Sequence, residues 1–161
     1  MHLDPAQKAT LKANITAKQA AGQPLAGVTD EQVIANHYNA AGTFIVWRTI
    51  VLLADIQADA GFDWTRVDNL TVGKARIWDG ITRTGSFNPS LSNFRAGISA
   101  AWTGVAADTA VQNAILAQCK RASRVLEALF ATGTGTTAVP GLLVVEGAIN
   151  AQEVANVIGG V

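Results

Sequence analysis

At 161 residues, with 49% hydrophobic and 15% charged side chains, the chain has the size of one domain and is too apolar for a disordered one. Twelve Lys and Arg balance twelve Asp and Glu, so it lacks the surplus of positive charge typical of nucleic-acid-binding domains. Cys119 stands alone, which excludes an intrachain disulfide, and the longest apolar run, residues 50–54, is far too short to cross a membrane. The first fifteen residues show no basic start followed by an apolar run, so no signal peptide is expected. Charge is nevertheless uneven: residues 64–124 hold eight basic and three acidic groups, residues 1–63 four and six, and residues 125–161 three acidic groups alone. Low charge and many small residues leave little to repel a second copy, which suits self-association.

In chain order, Asp4, Pro5 and Gln7 read as a capping box with proline in the first turn, followed by Leu11 and Ile15 on one helix face and Gly22 as the stop. Thr29 and Gln32 read as a second capping box, opening a short helix to about Ala40 with Val33, Ile34 and Tyr38 as its apolar contacts. Residues 44–48 are β-branched and aromatic and predict a short strand. The next ten residues fit a helix through Leu52 and Ile56, although periodicity alone leaves their type open. A helix is expected over residues 70–83, ended by Gly85. Another follows Asn88-Pro89, with Leu91, Phe94, Ile98 and Trp102 on one face up to Gly104. The longest helix is expected over residues 107–131, with Val111, Ile115, Cys119, Leu126 and Phe130 in its buried stripe. Gly133 and Gly135, set among threonines, then predict a flexible linker. Leu142, Leu143, Val144 and Val145 form a second strand candidate, able to pair with the first or to add to a neighbouring subunit. Asn150 and Glu153 make a third capping box for a short last helix. The fold expected is mainly α: five to six helices and one or two short strands, with residues 1–131 as the helical body and residues 132–161 as an arm of the same domain.

No residue set reads as a catalytic centre. Cys119 and His37 are the one nucleophile–base combination on offer, and Cys119 falls on a buried helix stripe, where cysteine behaves as a small hydrophobe. No Gly-x-Ser-x-Gly elbow occurs, and the acidic residues are too scattered for a metal site; Asp55 and Asp59, one helical turn apart, read as a solvated face. Gly133-x-Gly135 lacks the preceding strand and the Gly-Lys-Ser/Thr of a phosphate loop. No enzyme activity, cofactor or metal is therefore expected. Lys120, Arg121 and Arg124 on the longest helix, with Lys74 and Arg76 (and Arg83) on an earlier one, form a candidate contact for nucleic acid or for an acidic partner. A solvated face with local pairs such as Arg124–Glu127 accounts for the same charges, and the zero net charge favours it. The four tryptophans, Trp47, Trp64, Trp78 and Trp102, read as core anchors, with one or two available for subunit contacts.

Several blocks carry a likeness that covers nearly the whole chain. They are His2-Leu3-Asp4-Pro5-Ala6-Gln7, Val46-Trp47-Arg48-Thr49, Gly73-Lys74-Ala75-Arg76-Ile77-Trp78, Asn88-Pro89-Ser90, Arg95-Ala96-Gly97, Cys119-Lys120-Arg121, and Leu129 to Gly135 followed by Glu146-Gly147. Together they resemble a family of small structural proteins of tailed bacteriophages and prophages, with a departure at residues 50–60, which are more apolar here. The resemblance implies a virion structural protein, assembled in the bacterial host, that acts by binding other virion proteins and forms a homo-oligomer, with the tail or head–tail neck preferred. An internal, ejected or DNA-contacting protein and a capsid decoration protein are the alternatives, and no membrane is involved. The matching blocks resemble helix faces, turns and packing anchors, so the family supplies no functional residues to carry over.

Overall fold

The computed structural model describes residues 2–160. In chain order the elements are α1 (Pro5–Gln19), α2 (Glu31–Asn39), β1 (Ala41–Trp47), β2 (Val51–Leu52), α3 (Leu53–Gln57), α4 (Thr65–Asp68), α5 (Val72–Thr82), β3 (Ser86–Phe87), α6 (Ser92–Ala101), α7 (Ala106–Gln118), β4 (Lys120–Arg124), α8 (Val125–Phe130) and α9 (Ala151–Gly159). The protein is mainly helical, with two small two-stranded sheets, β1–β4 and β2–β3.

The helix starts follow local chemistry. Asp4 accepts the Gln7 N–H at 2.8 Å while the Gln7 side chain accepts the Asp4 N–H at 3.0 Å, and Asn150 and Glu153 do the same for α9. The second helix starts one residue later than expected. Asp30, not Thr29, caps it, its carboxylate accepting the Gln32 and Val33 N–H groups at 2.8 and 3.1 Å. An anionic acceptor at a helix N-terminus satisfies the free N–H groups and also meets the positive end of the dipole.

The largest departure concerns the helix expected over residues 107–131. It ends at Gln118, and Lys120–Arg124 form β4 against β1 before α8 restarts. Two backbone hydrogen bonds frame this ladder, Arg48 N–H to Cys119 O at 2.9 Å and Val125 N–H to Ala40 O at 3.0 Å. Pairing with β1 satisfies backbone groups that a continuous helix would have left open on β1. The strand expected at residues 142–146 is reduced to single-residue bridges, Thr132 with Leu142 and Val46 with Gly141. The undecided segment 50–60 is divided: Val51 and Leu52 pair with Phe87 and Ser86, and a one-turn helix follows.

The chain divides into two compact units. Unit 1 combines residues 1–46 with residues 122–161; unit 2 is residues 47–121. Unit 1 has a core of Leu11, Ile15, Leu25, Ile34, Tyr38, Leu126, Val145, Ile149, Val154 and Val157, among others. The expected arm is thus a wall of this core, because Val145, Ile149, Val154 and Val157 have apolar surface to bury and the faces of α1, α2 and α8 to bury it against. Unit 2 has an aromatic core. Phe62 packs 6.1 Å from Trp78 and 6.0 Å from Trp102, and Trp78 meets Trp102 edge-on at 5.4 Å.

Candidate interaction surfaces

The six basic residues singled out in the sequence meet different fates. Lys74, on α5, donates to the Thr103 carbonyl and pairs with Asp108 at 3.4 Å. Arg66 holds the same buried carboxylate with two hydrogen bonds of 2.6 and 3.1 Å. The Arg66 hydrogen bond keeps the Asp108 carboxyl below its ordinary value against the opposing effect of burial, and the charges of Arg66 and Lys74 add to it. Lys120 lies on β4, not on a helix, with its ammonium 5.3 Å from the Trp47 ring centre. The Arg95 guanidinium sits 4.8 Å from the same ring and donates to the carbonyls of Pro89 and Ser90. Arg121, also on β4, is half-buried. Arg124 belongs to unit 1, where it pairs with Glu127 at 3.3 Å, the local pair that the sequence suggested.

Glu127 is fully buried, and one loop depends on it. Its carboxylate accepts the N–H of Arg124 at 2.8 Å and that of Gly147 at 3.1 Å. This fastens the segment after residue 142 to the start of α8. The Gly/Thr stretch before it is fastened as well, in place of the free linker expected. Ile45 N–H donates to Gly135 O at 2.7 Å, Gly141 N–H to Ile45 O at 2.8 Å, and Thr132 and Leu142 exchange two bonds of 2.9 Å. The Phe44 ring lies so close over Gly135 and Gly141 that a Cβ at either position would overlap it. Gly135 also has a φ of +65°, so glycine is required there on two counts.

Along residues 142–146 the side chains alternate. Leu143 is half-buried and Val145 is in the core, while Leu142 and Val144 face solvent at 41% and 60% exposure, with Glu146 exposed beyond them. Val139, in the preceding loop, is exposed too. The four residues expected to form an assembly arm therefore comprise an inward anchor and an outward apolar row.

A second surface, on α5, was only partly visible in the sequence. Arg76, Asp79 and Arg83 line an open concavity of about 260 Å³ over Gly80. The side chains of Arg76 and Arg83 make no hydrogen bond or ion pair among the described residues. Val72 is 71% exposed and Ile77 39% on the same helix, and a Cβ at Gly73 or Gly80 would meet nothing within 4 Å. Two exposed glycines inside a helix with no local need for them were the available signal.

The remaining polar candidates serve the fold. Cys119 is in the core of unit 2, where burial pushes its thiol up to about 12 against the pull of Arg48 and Lys120. His37 belongs to unit 1; burial, and then the nearby Lys18, lower its pKa. Asp55 pairs with Arg48 at 3.4 Å, and Asp59 accepts the Gly61 N–H at 2.7 Å and the Gln118 amide, which hold its carboxyl below the usual range. No group of three or more His, Cys, Asp or Glu among the described residues is placed to hold a metal ion. No described helix is long and apolar enough to cross a membrane. Comparisons with protein-family models, with curated proteins and with solved structures found no match.

Proposed function

We propose that this chain is a structural protein of a tailed-phage particle that works by binding other virion proteins and further copies of itself, in the tail or at the head–tail neck. The observation that carries the assembly part of this reading is the exposure of Val139, Leu142 and Val144 close together in sequence. An isolated exposed aliphatic residue is ordinary, but these three belong to a segment fastened by buried Glu127 and by two glycines under Phe44. A segment fixed in this way binds without the ordering cost of a free arm. The particle assignment is supported by the sequence blocks, from His2 to Gly147, that resemble small phage structural proteins. Val145 and Ile149 sit in the unit 1 core, which holds the exposed residues of this segment in place.

Mass spectrometry of purified particles, full and emptied of DNA, tests the reading, with copy number counted against the portal and major capsid proteins. A count matching a small ring or its multiple in the emptied particle is the expected result. Loss of the chain on emptying would indicate an ejected protein, and a count near that of the capsid subunit a decoration protein. Absence from both particles would defeat the proposal.

A further inference from the structure

We draw no further inference here: the strongest candidate, the open concavity of about 260 Å³ on α5 lined by Arg76, Asp79, Gly80 and Arg83, carries none because nothing in the structure shows what covers it.

Discussion

Units 1 and 2 reach the same end, a closed apolar core, by opposite routes. Unit 2 is one continuous stretch, residues 47–121, and it holds all four tryptophans. Its core is an aromatic cluster gathered from Phe62, Trp78 and Trp102 on neighbouring elements. Unit 1 is built from residues 1–46 and 122–161, its core is aliphatic, and it contains the only tyrosine, Tyr38, which donates to Asn14 at 2.7 Å. The contrast teaches where each unit is vulnerable. Unit 2 depends on a few large side chains and one buried ion cluster, unit 1 on the return of a distant piece of chain.

The most severe test of that contrast is truncation after Ala131. It removes Val145, Ile149, Val154 and Val157 from the unit 1 core, and with them the Gly147 N–H held by Glu127. Four buried aliphatic side chains at about 1.5–3 kcal/mol each approach the whole stability of a domain. Unit 1 should unfold and the Tyr38 signal become solvent-like, while tryptophan fluorescence stays near its folded value. A truncated chain with an intact unit 1 would restore the free arm that the Gly/Thr stretch first suggested.

Next in size is Asp108→Asn. It deprives Arg66 and Lys74 of their shared carboxylate and should lower the melting temperature of unit 2 at neutral pH. The Asp108 carboxyl is held below its ordinary 3.8, so the stability it lends is present above that value and is lost as pH falls through the lowered one. The gap between variant and native chain, followed by tryptophan-monitored melts, should therefore close toward acid pH. A gap of constant size would show that the charge of Asp108 is not what matters.

The smallest effects contrast glycines. At Gly141 a Cβ would meet the Thr132 carbonyl at 2.6 Å and the Phe44 ring, so Gly141→Ala should cost about 1–3 kcal/mol, as overpacking does. At Gly80 the same change meets open space and should add about 0.5–1 kcal/mol. Denaturant titrations of the two variants should move in opposite directions.

What the sequence disclosed follows the range of the interactions involved. The caps at Asp4 and Asn150, the helix face of Leu11 and Ile15, the β1 strand and the Arg124–Glu127 pair each depend on residues within a few positions, and all were legible. The strand Lys120–Arg124 was not, since nothing in Lys-Arg-Ala-Ser-Arg favours extended backbone; its partner β1 lies more than seventy residues earlier. The place of residues 142–157 was hidden for the same reason. Their apolar spacing was visible, but the surface that receives it is made by α1, α2 and α8. As for the candidate surfaces, the charges were visible and their partners were not: Asp108 claims Lys74, and the ring of Trp47 claims Lys120. Arg76 was read with them, and its side chain makes no ion pair among the described residues.

Hydrogen exchange of the 161-residue chain, resolved by peptide and followed through mild denaturant, tests the two-unit account most directly. Residues 1–46 and 122–161 should lose protection together, at a different denaturant concentration from residues 47–121. Early exchange of residues 132–157, with α1 and α2 still protected, would contradict it and return that segment to the role of a detachable arm.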